Sequence, residues 1–197
     1  METKDFFYLY CRYLRGSVQV ESVGLEKDEK GLDNHYNLIK ARYEGIAFPV
    51  VFRLEWGKKF TDILNTGWSG LYLISEHLKK LLEENHFTGW TTYPIVLRDK
   101  NGMEIKGYHG FSTTGVCGLK SYANVPIIEK KFVPDGPIIK CYKGINLEFN
   151  KWDGSDFFTP QNSYDTIITE KVAKTLKKNK ISNLSLINIA EFEMPVD

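Results

Sequence analysis

The chain has 197 residues, 42% hydrophobic and 26% charged, with 26 Lys and Arg against 25 Asp and Glu for a formal net charge of +1. That is enough apolar residue for a packed core in one large domain or two small ones. The cancelling charges exclude the basic excess of a dedicated nucleic-acid binder and any long-range electrostatic steering.

The first ten residues, METKDFFYLY, lack a basic segment leading into an apolar run and a cleavage site. No stretch reaches the apolar length of a membrane span. The expectation is a soluble, reducing, cytoplasmic setting with no membrane partner. Aromatics make up 14% of the chain, mostly Tyr and Phe. They read first as a β-rich core and second as a partner surface.

Residues 4–14, KDFFYLYCRYL, read as a strand. Residues 17–23, SVQVESV, alternate with the period of a half-buried strand. The charged EKDEKGLDN at 26–34 reads as a loop. In IAFPVVFRLEW, Phe48, Val50, Phe52 and Leu54 fall on one face of a strand and Val51, Arg53 and Glu55 on the other. Asn101-Gly102 sits between alternating runs, predicting a tight primed turn and a hairpin of 94–99 with 103–109. Residues 115–136, broken by Gly and Pro, predict irregular structure with at most a short strand. GPIIKCYKGINLEF at 136–149 predicts a strand pair or one bent strand.

Sliding 61–96 onto 155–190, an offset of 94, leaves eight of 36 positions identical, among them Asp62/Asp156, Ile74/Ile168, Glu76/Glu170, Leu82/Leu176 and Asn85/Asn179. An alternating strand precedes each segment, FRLEW in the first and INLEF in the second. A short apolar strand then leads to Ser75 or Thr169, each placed to cap a helix with its hydroxyl. Glu76 or Glu170 follows, where the helix dipole favours an acid. The apolar stripes are Leu78, Leu81, Leu82 and Val172, Leu176. Asn85 and Asn179 stand where a left-handed residue commonly ends a helix, and a β-rich return closes each unit. The predicted fold is α+β: a largely antiparallel sheet with two helices from an internal strand–helix–strand duplication, in a single domain 1–197.

The residues yield no catalytic constellation. The histidines at 35, 77, 86 and 109 lack ligand spacing, so no metal site is expected. The three cysteines, Cys11, Cys117 and Cys141, form neither a disulfide framework nor a zinc pattern. YHGFSTTGVCG at 108–118 brings His109, Ser112 and Cys117 close in sequence, but without a nucleophile elbow it reads as a loop. Asp62 and Asp156, each after Thr or Ser at a matching place, read as chain-bonding Asx residues. The lysines at 171, 174, 177, 178 and 180 read as a solvated helix face, and second as a surface for an acidic protein.

Two stretches carry a resemblance. Asp62, Ile74, Ser75, Glu76, Leu78, Leu82, Thr88, Gly89 and Pro94 match a D…(V/I)(S/T)E…L…L…TG…P pattern. Asp156, Phe158, Ile168, Thr169, Glu170 and Val172 match a later DIF…(I/V)(T/S)E…A pattern. Together, over roughly 48–192, the chain resembles the predicted immunity proteins of bacterial polymorphic toxin systems, formerly a family of unknown function. It departs at Asn183, where Gly is expected, and in lacking the later Pro in the second copy. The resemblance implies a small cytoplasmic antitoxin that binds a cognate toxin domain without catalysis or cofactor; it transfers no binding residues.

Trp68 and Trp90 are the candidate partner anchors, because the second copy has Asn162 and Leu184 there. The competing expectation is a small-molecule enzyme with a site between the units. It requires Asp62, Asp156 or His109 to converge in one pocket. A third is a self-associating scaffold.

Overall fold

The computed structural model describes residues 5–12, 14–25, 27 and 33–196. In chain order the elements are β1 (Phe6–Cys11), β2 (Gln19–Val23), α1 (Asn34–Ile39), β3 (Val50–Trp56), β4 (Ile63–Asn65), β5 (Tyr72–Ser75) and α2 (Glu76–Glu84). There follow β6 (Trp90–Tyr93), β7 (Ile95–Arg98), β8 (Glu104–Ile105), β9 (Tyr108–Thr113), β10 (Gly115–Cys117), β11 (Lys120–Ser121), β12 (Ile127–Lys131) and β13 (Ile138–Lys143). The chain ends with β14 (Asn146–Leu147), β15 (Phe157–Pro160), β16 (Thr166–Thr169), α3 (Glu170–Lys178), β17 (Leu184–Asn188) and β18 (Glu193–Pro195).

The architecture is α+β. An eight-stranded sheet runs β6-β9-β5-β4-β2-β3-β7-β8 and a five-stranded sheet runs β10-β15-β16-β1-β17. A three-stranded sheet, β12-β13-β18, and the pair β11-β14 stand beside them. Neighbours are antiparallel except β2 with β4, β3 with β7 and β10 with β15. Among the described residues no helix is long and apolar enough to cross a membrane.

The central strands are apolar on both faces, which is why LYLIS reads as a continuous run. Tyr72 and Ile74 join a core with Leu78 and Leu82 of α2, Val172 and Leu176 of α3, and Leu9, Phe111 and Phe157. Their neighbours Leu71 and Leu73 face a second core with Val20, Phe52 and the α1 residues Leu38 and Ile39. A third, built on Phe6, Phe158 and Ile167, lies behind the five-stranded sheet. Each helix buries its predicted stripe, at about 1.5–3 kcal/mol per fully buried leucine.

The two strand–helix units run in step. Adding 94 to the bounds of β5 and α2 gives those of β16 and α3. The registers agree as well: Ile63 pairs with Ile74 as Phe157 pairs with Ile168, and Leu64 with Leu73 as Phe158 with Ile167. In each unit one further strand lies between the strand before the helix and the strand after it. In the first it is β9, and in the second it is β1, from the opposite end of the chain.

The units hold each other through their recurring aspartates. The Asp62 carboxylate accepts from the Ser75 hydroxyl (2.9 Å) at the start of its own helix. It also accepts from the Ser182 amide (2.9 Å) and hydroxyl (2.6 Å), just past the other helix. Asp156 does the converse, accepting from the Thr169 hydroxyl (3.1 Å), the Thr88 amide (3.0 Å) and the Thr88 hydroxyl (3.3 Å). The amides answer in kind: Asp62 N–H donates to the Ser182 hydroxyl (2.8 Å) and Asp156 N–H to that of Thr88 (3.1 Å). The shared offset of 94 relates every member of one clasp to a member of the other.

Several sequence expectations require correction. Thr169 stands at the N-cap but makes no cap bond, its hydroxyl being given to Asp156; Ser75 both caps Leu78 N–H and donates to Asp62. Asn85 and Asn179 are not left-handed; the next residues, His86 and Lys180, are, each with φ 52°. The asparagines instead donate their side-chain amides to the carbonyls of Leu81 and Thr175.

Only Gly102 of the predicted primed turn has a positive φ, of 85°. Asp99 closes the loop instead, its N–H reaching Met103 O and its carboxylate accepting from the amides of Asn101 and Met103. The hairpin is correspondingly short: β7 meets β8, and β9 leaves to pair with β5 and β6. INLEF is a two-residue strand and a turn of 3-10 helix, no counterpart of β3. Residues 108–118, read as a loop, are largely β9 and β10, and 115–136 carries three strands. The small residues serve close packing: a Cβ on Gly110 would lie 2.1 Å from the Tyr93 ring. Helix α1 went unread; six residues are too few for a periodic signal, although Asp33 caps it by accepting from His35 N–H. The expected loop at 26–34 lies mostly outside the described residues.

Candidate partner-binding groove

An open groove of about 730 Å³ lies where β1, the β4–β5 turn, the β17–β18 turn and β12 meet. Alternation along β1 aims Phe6 and Tyr8 away from the helices. Tyr8 is stacked on Phe192 (4.9 Å between centroids, 18°) and edge-on to Tyr10 (5.5 Å). Its hydroxyl donates to Asp165, which also takes Lys120 Nζ and the Ser163 hydroxyl. Burial, then the Asp165 charge, push the Tyr8 phenol far up, so it remains a neutral donor. Burial raises the Asp165 carboxyl, but the bonds from Lys120, Ser163 and Tyr8 outweigh it and hold it below the usual range.

Two exposed aromatics frame the groove. Trp68 lies in the β4–β5 turn with its ring stacked on His35 (4.0 Å, 14°) and edge-on to Tyr36 (6.0 Å). Phe132, 53% exposed, stands just past β12 with Lys130 Nζ 5.5 Å from its ring centroid. Lys130 also pairs with Glu193. The Trp68 ring is therefore packed against the chain's own aromatic side chains. Cys11 also lines the groove, and burial pushes its thiol up to about 12, which makes it a poor nucleophile at neutral pH. All three cysteines are free.

Trp90 is placed differently. It is half-buried against the shared helix core, stacked on Phe111 (6.2 Å, 15°), and its indole N–H donates to Phe87 O (2.8 Å). The two candidate anchors are thus not together: Trp68 lines the groove and Trp90 fills the core edge.

The side chains with catalytic potential are occupied separately. Asp62 and Asp156 form the clasps. Burial raises the Asp62 carboxyl, but bonds from Ser182, His77 and Ser75 prevail and hold it low. His109 Nε2 lies 2.6 Å from Glu76 Oε2. Ser112 is fully buried, donating to Leu38 O and accepting from Tyr43 OH (3.0 Å). His109 and Ser112, three apart on β9, point to opposite faces. None of Asp62, Asp156 and His109 lines the groove. Among the described residues no group of three His, Cys, Asp or Glu side chains is gathered to hold a metal ion.

On α3, Lys171 pairs with Asp156 (2.7 Å) and Lys174 with Glu170 (2.8 Å), while Lys177 lies 5.1 Å from the Phe7 ring centroid. Sequence reasoning missed Tyr8, Tyr10, Phe132 and Phe192 as groove residues. They come from three distant stretches, β1, the end of β12 and the β17–β18 turn, and share no motif. No family model matches the sequence, and no curated protein matches it.

Proposed function

We propose that the chain is a non-enzymatic binding protein that takes a protein partner in the aromatic groove, and that the partner is a bacterial toxin domain for which the chain is the immunity protein. The observation that carries the reading is the groove itself, in which exposed Trp68 and Phe132 flank half-buried Tyr8, Tyr10 and Phe192. Trp and Tyr in preformed hollows are the residues that dominate protein-interface energies. Intramolecular stacking lowers the entropy lost when a partner orders them. The Lys130–Glu193 pair supplies a polar rim.

The choice of a toxin as partner rests on the resemblance of the two (S/T)E-helix stretches to the predicted immunity family. On this reading the chain works in the cytoplasm and neutralises by covering the toxin's active site. The test is co-expression with the C-terminal domain encoded by the adjacent open reading frame, scoring growth rescue and co-purification. Rescue with a stable complex is expected; neither rescue nor a complex would overturn the reading.

A further inference from the structure

A second concavity, of about 150 Å³, sits between the turn after α1 and the β10–β15 edge, lined by Lys40, Arg42, Thr114, Gly115, Thr159 and Gln161 among others. No Asp or Glu lines it. It falls below the roughly 300–1,000 Å³ of pockets for drug-sized ligands. We propose that it binds a small oxyanion of the phosphate type, held by Lys40, Arg42 and the Thr159 hydroxyl.

Three observations converge. Thr159 is 5% exposed, and its hydroxyl has no hydrogen-bond partner. Buried hydroxyls are nearly always satisfied, so an orphan on a residue that lines the pocket points to a missing acceptor beside it. Lys40 Nζ donates once, to Gln161 O (3.1 Å), and lies 4.7 Å from the Tyr164 ring centroid. An ammonium has three donors, so two remain. Among the described residues the exposed Arg42 guanidinium has no protein partner, and a guanidinium's fork of donors suits oxyanions.

The backbone brings the two cations together. Ala41, between them, is left-handed with φ 53°, a conformation costly for any residue with a Cβ. It ends α1 with Ala41 N–H on Leu38 O (3.2 Å) and Arg42 N–H on Asn37 O (2.8 Å). Burial and the Arg42 charge both push the Lys40 ammonium down, opposed by Asp165. Asp165 itself is already taken by Lys120, Ser163 and Tyr8. An anion seated between Lys40 and Arg42 relieves their repulsion and gives Thr159 its acceptor.

The test is a titration of the full chain with inorganic phosphate at constant ionic strength, followed by amide NMR shifts, with adenosine diphosphate as a second arm. Saturable shifts are expected at Ala41, Arg42, Gly115 and Gln161. Lys40→Gln and Arg42→Gln should each weaken binding on the order of tenfold, as for loss of a charge-assisted hydrogen bond. Thr159→Val, of equal shape, should weaken it about fivefold without lowering the melting temperature of the anion-free chain. Tighter binding of the nucleotide would assign the site to the terminal phosphate of a larger molecule, and equal or weaker binding to the free ion. No saturable shift with either, or unchanged shifts in the Lys40→Gln/Arg42→Gln double variant, would overturn the proposal. None of the lining residues belongs to the groove, so this result is independent of the toxin reading.

Discussion

Removing the Asp156 carboxylate should be among the most damaging single changes in the chain. Its side chain is 3% exposed and accepts three hydrogen bonds, from Thr88 N–H (3.0 Å), Thr88 Oγ1 (3.3 Å) and Thr169 Oγ1 (3.1 Å). Bonds to a charged group are worth about 1.5–3 kcal/mol each, and Asp156→Ala leaves all three donors without an acceptor. They are not additive, since the long bond is weak and the hydroxyls can turn. Lys171 is 65% exposed, so its contact adds under about 1 kcal/mol. The expected loss is about 3–5 kcal/mol, the range for breaking a buried charged network. That is a large part of the roughly 5–15 kcal/mol that stabilises a typical domain. Urea denaturation at pH 7, followed by circular dichroism, gives the value. A cycle with Thr88→Val should show coupling of about 1–2 kcal/mol. A loss below about 1 kcal/mol with an unchanged denaturant slope, or a strictly additive cycle, would refute the view that the clasp ties the units together.

Acid should unfold the chain through two other, partly buried carboxylates, Asp62 of the matching clasp and Asp165 beside Tyr8. The Asp62 and Asp165 carboxyls are both held below their ordinary values. A depressed folded pKa gives stability that is complete above the unfolded value of about 3.9 and is lost as pH falls through the folded one. Urea midpoints should therefore drop below about pH 4, and less steeply in Asp62→Asn; an equal slope would exclude Asp62 as a contributor. Gly89→Ala should destabilise by more than about 2 kcal/mol, because φ is +82° and a Cβ would lie 2.0 Å from Phe157 O. Thermal melts check this, and a neutral result would show that the units can part at that point. Trp90→Ala should cost about 3–5 kcal/mol as a core truncation. Trp68→Ala should cost clearly less, and the reverse order in denaturant melts would contradict their placement.

What the sequence disclosed follows from how local each signal is. Helices α2 and α3 were legible because stripe, cap position and acid all fall within nine residues, and the offset of 94 repeats them. The aspartates were recognised as chain-bonding, but their partners were not. Ser182 lies 120 residues from Asp62, and no local pattern joins them. Asn183 shows the same limit. At the place of Gly89 it is also left-handed, with φ 62°, and its side chain donates to Ile63 O (2.9 Å), whereas the carbonyl beside Gly89 leaves no room for a Cβ. Small residues at 108–118 suggested a loop because their role is close packing, Gly110 against the Tyr93 ring and Gly115 against Ser155 and Phe157 O, which only the packed sheet reveals. The groove was the least legible feature. Trp68 was singled out for being dispensable to the repeat, but its neighbours Tyr8 and Phe192 come from opposite ends of the chain.

The most direct measurement is growth rescue against the domain encoded by the adjacent open reading frame, proposed as the toxin, by three forms: the unchanged chain, a Trp68→Ser/Phe132→Ser double variant shown by circular dichroism to be folded, and His109→Gln. Rescue by the first and third but not the second is the predicted result. Full rescue by the groove variant, or its loss in His109→Gln alone, would contradict binding through the aromatic groove.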